Sequence, residues 1–336
     1  MQKSTHKAEV IKINKIFPHP NADRLEIIHA FNYTVVVQKD LYLEGQLAVY
    51  IVPDTIVDTR RAEFAYLAAD CKPGETKYRV RAKKLRQVPS FGILIPAPED
   101  AKVGDDLFER LGLEHYEPPE EFTTGGEAAK APECGYVPNY DVDALKRYVD
   151  KFIPGELVIV TEKIHGASAK YTWSNGAMHV GSKSEWKKQA DDNAWWKALK
   201  NTAMLRAFCK EHEHLVVYGE IYGAVQDLKY GCKPGEIRFA AFDLWHKTEQ
   251  RWLCWNEVLK TLTYAAAKIP FVPTLGEMPF NMDTINELAE GKTLVPGADH
   301  IREGVVVKPV VERTDLEIGR VCLKVVGLGY LDRRKK

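Results

Sequence analysis

The 336-residue chain lacks long apolar runs and paired cysteines. No apolar stretch approaches the roughly 20 residues that a helix needs to span a membrane. Residues 1–15 are polar and charged, without the apolar core of a secretory signal. The six cysteines are scattered without paired spacing, which is typical of reduced thiols inside the cell. We therefore expect a cytoplasmic protein that has no membrane partner. A monomer is the expected oligomeric state, although none of these features bears on it.

The chain also lacks net charge, because 47 basic side chains balance 47 acidic ones. A neutral total would argue against a polyanionic partner, but it is an average over unlike parts. Residues 111–142 carry seven acids and one lysine, a net charge of −6. Residues 1–110 have a net charge of +2, and residues 143–336 have one of +4. Since local patches matter more for binding than the total, a nucleic-acid partner stays possible.

The length predicts about two domains, and residues 1–110 have the pattern of a small β-barrel. Residues 18–25 resemble the opening loop of tRNA-binding OB modules, although a plain turn would have the same composition. Residues 72–86 hold seven basic residues, one acid and Tyr78, which suits either a groove along a nucleic-acid backbone or a solvated hairpin face. The predicted strands share β-branched, partly alternating sequences; they cover residues 8–13, 33–37, 46–52 and 90–95.

An acidic linker is predicted at residues 111–142, which contain Pro118-Pro119 and Gly125-Gly126. The second domain then covers residues 143–336. We expect one helix to begin at Asp141 or Asp143 and a second to cover residues 192–210. Each has an apolar stripe at helical spacing: Leu145, Tyr148, Val149 and Phe152 in the first, and Trp195, Leu199, Leu205 and Phe208 in the second.

The sequence Glu162-Lys163-Ile164-His165-Gly166 follows an apolar, strand-like run at residues 157–160. A lysine is a nucleophile only when its amine is neutral, so it needs a desolvated or cation-rich pocket that lowers its pKa. Gly166 would let the backbone come close to a phosphate. An exposed lysine with an ordinary pKa is the other interpretation, and five residues alone do not decide between the two.

Four further strand-like segments follow, each with charged or aromatic residues at its end. With the first, and in this order, they resemble motifs I, III, IIIa, IV and V of the covalent nucleotidyltransferase superfamily, which contains ATP-dependent ligases and mRNA capping enzymes. Five ordered matches are stronger evidence than one short motif. The four segments are residues 215–223, 238–244, 302–308 and 321–325, and Ser182-Lys183 resembles the shorter motif Ia.

This resemblance implies an α+β fold: an amino-terminal OB-fold-like β-barrel followed by an ATP-grasp-like nucleotidyltransferase domain on antiparallel sheets with flanking helices. It also implies that Lys163 attacks the α-phosphate of ATP, releases pyrophosphate and keeps AMP as lysyl-AMP. Glu220 would bind a ribose hydroxyl or a metal-bound water. Phe242 would stack on adenine, or else belong to the core, whereas Phe239 lies on the opposite strand face and should be core.

The same resemblance assigns metal-bound water to Glu303, a phosphate to Lys308 and the α-phosphate to Lys324. Magnesium is the expected ion, and manganese should replace it. The implied nucleotide-binding residues are Glu162, His165, Gly166, Ser182, Lys183, Glu220, Phe242, Glu303, Lys308 and Lys324, with Glu220 and Glu303 holding the metal through water.

Two positions depart from the common patterns. Many DNA ligases and capping enzymes have aspartate where this chain has His165, and histidine there is more similar to RNA ligases. Some RNA ligases have two lysines in motif V, whereas this chain has Cys322-Leu323-Lys324. One phosphate contact is therefore missing or comes from elsewhere, for example from Arg320.

The order of domains resembles the class of RNA ligases with an amino-terminal OB module, which join 3′-hydroxyl and 5′-phosphate ends. That class implies an ATP-dependent enzyme that acts on RNA or on an RNA-containing nicked duplex, with RNA required on the 3′-hydroxyl side. Three alternatives remain: a DNA ligase, an mRNA guanylyltransferase, and a catalytically silent RNA-binding protein that uses residues 72–86.

Overall fold

The computed structural model describes residues 6–116, 126–264 and 269–333. They form two compact units, one of residues 6–116 and one of residues 126–264 and 269–333. Both units contain mainly antiparallel sheets. The described α-helices belong to the second unit, and the first contains a 3₁₀ helix at Ala62–Asp70. Within these residues, no helix combines the length and the apolar character that crossing a membrane requires. The predicted α+β class is confirmed, and the first unit is built of strands apart from this 3₁₀ helix.

The first unit consists of short strands around two apolar clusters. Its strands are β1 (Ala8–Lys12), β2 (Ile16–Pro18), β3 (Leu25–Ala30), β4 (Tyr33–Gln38), β5 (Leu47–Ile51), β6 (Thr55–Asp58), β7 (Lys77–Arg79), β8 (Lys83–Leu85), β9 (Val88–Ser90), β10 (Ile93–Pro96) and β11 (Glu114–His115). β5 pairs with β1 and β10, β3 with β2 and β4, and β6 with β7 and β11. The strands predicted at residues 8–13, 33–37 and 46–52 are confirmed within one residue at each end.

The strand predicted at residues 90–95 is interrupted at Gly92. β9 ends at Ser90 and β10 begins at Ile93, because Gly92 has a positive φ of 80°. A Cβ atom at Gly92 would lie 2.3 Å from the carbonyl oxygen of Ile51. Only glycine allows this close approach to β5.

The second unit is built on a seven-stranded and a five-stranded sheet. Its strands are β12 (Ala128–Ala129), β13 (Asp143–Ala144), β14 (Leu157–Lys163), β15 (Ala167–Ser174), β16 (Ala177–Ser182), β17 (Trp186–Lys187), β18 (Leu215–Gly223), β19 (Ile237–His246), β20 (Arg251–Trp252), β21 (Thr274–Pro279), β22 (Gly304–Pro309), β23 (Thr314–Asp315), β24 (Gly319–Arg320) and β25 (Leu323–Val326). Its helices are α1 (Ala194–Asn201), α2 (Leu205–Glu211), α3 (Trp255–Tyr264), α4 (Met282–Ala289) and α5 (Leu328–Asp332).

The five motif segments are strands, as predicted, and they belong to both sheets. The seven-stranded sheet has the order β12-β17-β16-β15-β18-β19-β20, and the five-stranded sheet has the order β13-β25-β22-β14-β21. β14 and β22 pair antiparallel, with Lys163 opposite Gly304. The pairing of β15 with β18 places Ser168 opposite Glu220. Residues distant in sequence are thereby brought to the ends of neighbouring strands.

Both helix predictions need correction. Residues 143–151 form β13 and two short 3₁₀ turns instead of an α-helix, because Asp143 and Ala144 pair with β25. The predicted helix at residues 192–210 is two helices, since Met204 adopts a left-handed φ of 68° between α1 and α2. The predicted apolar stripes are nevertheless buried, except for the half-buried Val149.

The segment at residues 111–142, predicted as a linker, contributes to both units. Leu111 and Leu113 belong to an apolar cluster of the first unit. β12 pairs with β17 in the second unit, where the ring of Tyr140 lies 4.5 Å from that of Phe242. Residues 117–125, which include Pro118, Pro119 and Gly125 of the predicted linker, lie outside the described residues.

Candidate active site

A cavity of about 180 Å³ in the second unit contains most of the predicted site residues. Strands of both sheets contribute its walls. It is lined by Tyr140, Val142, Thr161, Glu162, Lys163, Ile164, Ser168, Glu220, Phe242, Val272, Val306, Lys308 and Lys324. A larger cavity of about 510 Å³, at residues 201–203, 222, 236–239 and 270, contains none of the predicted residues. The smaller cavity is therefore the candidate active site.

Lys163 lies at the end of β14, where its amine meets the carboxylate of Glu303. Their Nζ and Oε2 atoms are 2.9 Å apart, because β14 pairs with β22 directly beside Glu303. Burial lowers the pKa of Lys163, but the carboxylates of Glu303 and Glu220 offset this and raise the pKa above its ordinary value. The predicted lowering of the Lys163 pKa is thus wrong for this arrangement. The amine is protonated here and must lose its proton before it can act as a nucleophile.

Glu220 and Glu303 differ in charge although both are near Lys163. Burial and the neighbouring Glu303 raise the pKa of Glu220 to about 8, against the opposing effect of Lys163. Burial would also raise the pKa of Glu303, but the Lys163 ammonium overrides it and holds that pKa at about 2. Two carboxyl groups beside one cation thus share a single negative charge, as expected when like charges compete in a buried site.

The two carboxyl groups suit a divalent cation that is bound through water. Glu303 Oε2 is buried and has no hydrogen-bond partner of ordinary geometry, although it faces the Lys163 amine. Among the described residues, no three His, Cys, Asp or Glu side chains come together as a metal site made of protein alone. A hard cation here would therefore take most of its ligands from water and phosphate oxygens, which is the usual behaviour of Mg²⁺.

Phe242 and Phe239 occupy opposite faces of β19, as the alternation predicted. Phe239 is buried, and its ring packs against Tyr171 at 5.0 Å. Phe242 is half-buried, lines the cavity and contacts Tyr140. Phe242 therefore offers aromatic surface to a ligand, with Tyr140 beside it.

Lys308 does not present a free ammonium to the cavity that it lines. Its side chain is 1% exposed, and Nζ donates to Asp243 Oδ2 at 3.1 Å and to the Phe242 carbonyl oxygen at 3.2 Å. The buried Asp243 also accepts hydrogen bonds from the Tyr140 hydroxyl at 2.6 Å and from Arg320 at 2.9 and 3.0 Å. In this arrangement Lys308 neutralises Asp243, which corrects the predicted phosphate contact.

Arg320 cannot replace the missing motif V lysine in this arrangement. Its guanidinium pairs with Asp243 and Glu312 and lies 4.3 Å from the ring of Trp252. Lys324, by contrast, lines the cavity, and burial together with the Lys163 ammonium lowers the pKa of Lys324. Of the basic residues proposed for phosphate, Lys324 is thus the best placed.

Ser182 and Lys183 lie outside the lining of the cavity. The Ser182 hydroxyl exchanges hydrogen bonds with the backbone of Glu185, both at 3.3 Å, and so closes a turn. Lys183 is exposed and pairs with Asp141 at 3.1 Å. The structure therefore gives Ser182 a local structural contact and leaves Lys183 at the surface.

Glu162 and Gly166 have structural contacts that the motif did not reveal. Successive strand residues face opposite sides, so the Glu162 carboxylate points away from Lys163 and accepts hydrogen bonds from Thr293 Oγ1 and from the Leu294 amide at 2.7 Å. A Cβ atom at Gly166 would lie 2.1 Å from the carbonyl oxygen of Ile221. Gly166 is thus required for the approach to β18.

His165 is buried and held on both sides of its ring. Nε2 lies 2.7 Å from Asp227 Oδ1, and Nδ1 lies 3.0 Å from the Tyr330 hydroxyl. The backbone amide of His165 donates to the Tyr230 hydroxyl at 2.7 Å. Nδ1 is also 3.7 Å from Glu303 Oε2. Asp227 and Tyr330 lie outside every motif, so no sequence signal pointed to them.

Several residues that line the cavity were not predicted from the sequence, and the reasons differ. Thr161 shares a strand face with Lys163, and Ser168 pairs with Glu220, so alternation and pairing would have found both. Tyr140 lies in the segment predicted as a linker, and nothing in its sequence context indicated a cavity. Val142, Val272 and Val306 supply apolar wall.

The basic strip at residues 72–86, in the first unit, is partly neutralised by acidic neighbours. Lys77 pairs with Glu114 and Lys83 with Asp70, both at 2.7 Å. Arg79 pairs with Asp54 and stacks on the ring of Tyr116 at 3.5 Å. Nucleic-acid binding by this strip stays a prediction.

Two family models match the sequence. The model described as RNA ligase matches residues 156–326, slightly more than half of the chain, and the model described as an OB-fold domain matches residues 7–97. None of the curated proteins matches the chain. The first match covers all five motif segments, and the second covers the strands of the first unit up to β10.

The fold is similar to that of solved structures of Naegleria gruberi RNA ligase. A mutant with ATP and Mn has a TM-score of 0.85 at 22% sequence identity, with 98% of this chain and 99% of that chain covered. The complex with PPi has a TM-score of 0.86 at 23% identity, with 99% of each chain covered. Another mutant, with AMP and Mn, has a TM-score of 0.85 at 23% identity, with 98% of this chain and 99% of that chain covered. The likeness extends over both units and shows the shared fold.

We predict that Asp243→Asn destabilises the protein by about 3–5 kcal/mol, because it leaves the Lys308 ammonium buried without a counter-charge and leaves Arg320 paired with Glu312 alone. Denaturant unfolding measures this change. Asp299→Asn is the control, since its exposed pair with Lys292 should contribute less than about 1 kcal/mol. Equal effects of the two substitutions would contradict the prediction.

We predict that Glu220→Gln gains stability relative to the wild type as the pH rises. The pKa of Glu220 is raised from its ordinary 4.5 to about 8, so the folded state holds a proton that the unfolded chain releases. Stability therefore falls as the pH rises through this window in the wild type, and this loss is absent in the variant. Thermal unfolding of both proteins from pH about 5 to about 9 measures the difference, with the exposed Glu287→Gln as control. A difference that is independent of pH would refute the assignment.

Proposed function

Because the chain belongs to the RNA ligase family, we propose that it is an ATP-dependent RNA ligase that works through lysyl-AMP on Lys163. The position of Lys163 is the observation on which this proposal rests. Lys163 lines a cavity together with Glu220, Phe242 and Lys324, and its amine is 2.9 Å from Glu303. A nucleophile, carboxylates, an aromatic face and a cation therefore meet in one place. This is the set of groups that nucleotidyl transfer requires.

In the first step, the neutral Lys163 amine attacks the α-phosphorus of ATP. A phosphorus–nitrogen bond forms, the bond to pyrophosphate breaks, and the amine proton leaves to solvent or to a carboxylate. Lys324 offsets charge on the phosphate. Mg²⁺ or Mn²⁺, held through water by Glu220 and Glu303, would neutralise the triphosphate and compete with Lys163 for these carboxylates, which lowers the pKa of the amine.

The base of the nucleotide would bind at the aromatic end of the cavity. Phe242 provides a half-buried ring there, and Val272 and Val306 provide apolar wall. Aromatic faces bind nucleobases by stacking. Glu220 is then the candidate partner of a ribose hydroxyl, because its carboxyl group lines the same cavity.

The ligands of the related structures support this assignment of the first step. Naegleria gruberi RNA ligase has been solved with ATP and Mn, with AMP and Mn, and with PPi. These are the substrate, the transferred group and the leaving group of adenylylation. By likeness of fold and family, we propose ATP and a divalent cation for this chain as well.

In the later steps, AMP passes to a 5′-phosphate end, and a 3′-hydroxyl attacks that end and releases AMP. We propose nicks in RNA-containing duplexes as substrates, with RNA on the 3′-hydroxyl side. We also propose a cytoplasmic monomer in which residues 143–336 form the adenylyltransferase domain and residues 1–110 form an OB module that supports RNA binding.

We predict that Lys163→Ala abolishes covalent labelling of the protein by α-phosphate-labelled ATP with magnesium, because the nucleophile is lost. Gel detection of labelled protein measures this. Lys292→Ala, at an exposed lysine outside the cavity, should label normally. Persistent label on Lys163→Ala would exclude lysyl-AMP at this position. Labelling of the wild type by GTP but not by ATP would indicate a guanylyltransferase instead.

We predict that nicks with RNA at the 3′-hydroxyl are sealed at least about tenfold faster than all-DNA nicks, a difference of ~1.4 kcal/mol in activation free energy. Sealing assays on duplexes that carry RNA or DNA on each side of the nick measure the ratio. Equal rates would favour a DNA ligase. Failure to form any covalent adenylate would favour a non-catalytic RNA-binding protein.

A further inference from the structure

The His165 ring is fixed by two side chains that belong to no nucleotidyltransferase motif. Asp227 Oδ1 lies 2.7 Å from Nε2, and the Tyr330 hydroxyl lies 3.0 Å from Nδ1. The His165 side chain is 9% exposed. Both nitrogens of a buried imidazole are therefore engaged, and the ring has little freedom to rotate or flip.

These contacts also select one tautomer of the neutral ring. A carboxylate can only accept hydrogen bonds, so Asp227 requires the proton on Nε2. Nδ1 is then an acceptor, and the Tyr330 hydroxyl donates to it. A partner on the far nitrogen commonly sets the orientation and the tautomer of a functional histidine.

A second layer connects the two residues that hold His165. Arg333 Nη2 lies 3.1 and 3.0 Å from the carboxylate oxygens of Asp227, and its guanidinium stacks on the Tyr330 ring at 3.5 Å. The amides of Leu328 and Gly329 at the start of α5 donate to the carboxylate of Glu290. The helix that carries Tyr330 is thereby attached at both ends.

The fixed ring lies beside the reacting groups. His165 Nδ1 is 3.7 Å from Glu303 Oε2, which is 2.9 Å from the Lys163 amine. A shift of the ring would therefore change the surroundings of Glu303 and Lys163. Misplacement of a positioned group by about 1 Å can lower a rate about 10²-fold.

We propose that Asp227 and Tyr330 are positioning residues that hold His165 for adenylylation of Lys163, and that α5 with Arg333 is thus a working part of the active site. This inference rests on the proposed ligase function. Asp227 is 49% exposed on its side chain, and ion pairs of exposed groups contribute little to stability. Replacement of Asp227 should therefore affect the rate far more than the fold.

The test uses the full chain with Asp227→Asn and Tyr330→Phe, which keep the size of each side chain. We expect each variant to lower the rate of labelling at saturating ATP by about tenfold or more, with a half-saturating ATP concentration within about twofold of wild type. Asp299→Asn, at an exposed carboxylate in a pair of its own, should match the wild type. Rates of both variants within about twofold of wild type would overturn the proposal.

A double substitution separates positioning of His165 from a general structural effect. In the His165→Gln background, Asp227→Asn should cause little further loss, because the ring that it holds is gone. The same fold-loss in both backgrounds would show that Asp227 acts independently of His165 and would refute the proposal.

A spectroscopic readout does not depend on catalysis. The ¹⁵N chemical shifts of the His165 ring should show a proton on Nε2 and none on Nδ1 in the wild type, and a mixture of tautomers in Asp227→Asn. Unchanged shifts would overturn the proposal even in an active enzyme. If the wild type formed no adenylate, the proposed function would fail, whereas these shifts would still decide whether Asp227 and Tyr330 hold the ring.

Discussion

The contact between Lys163 and Glu303 depends on the register of two paired strands. β14 and β22 are antiparallel, and Lys163 lies opposite Gly304, so the carboxylate of Glu303 comes to lie 2.9 Å from the amine. Gly304 is needed at this point, because a Cβ atom there would lie 2.0 Å from the carbonyl oxygen of Val325. A shift of one residue would turn the Lys163 side chain to the other face of the sheet. The geometry of the site is therefore set first by the pairing of the two backbones, which places the side chains.

The same contact creates the chemical problem that the site must solve. The carboxylates of Glu303 and Glu220 hold the pKa of Lys163 above its ordinary value, although burial alone would lower it. The lysine is thus stored as an ammonium ion beside two carboxyl groups that share one negative charge. A divalent cation and a triphosphate bring the opposite charges to the same place. Under the proposed function, this arrangement would keep the Lys163 amine protonated until the substrates bind.

Many of the strands and site residues could be predicted from local sequence. The predictions that were wrong have identifiable physical causes. The sequence predicted β14, β18, β19 and β22, because their apolar runs reflect burial on both faces of the sheet. The helix predicted after Asp143 does not form because pairing with β25 competes with helical propensity. Lys308 carries the expected charge at the expected position, yet it neutralises the buried Asp243. Its role depends on a neighbour 65 residues away, which no local pattern reveals.

The sequence by itself determined the order of the motifs, the choice of Lys163 as candidate nucleophile and the strands that carry the motifs, because these follow from short-range patterns of polarity and residue type. Only the tertiary structure decided which side chains meet Lys163, what charge each group carries, and that Asp227 and Tyr330 hold His165. The two contacts of the His165 ring, for example, span 62 and 165 positions of the chain. Burial and proximity in space set them, and neither can be derived from neighbours in sequence.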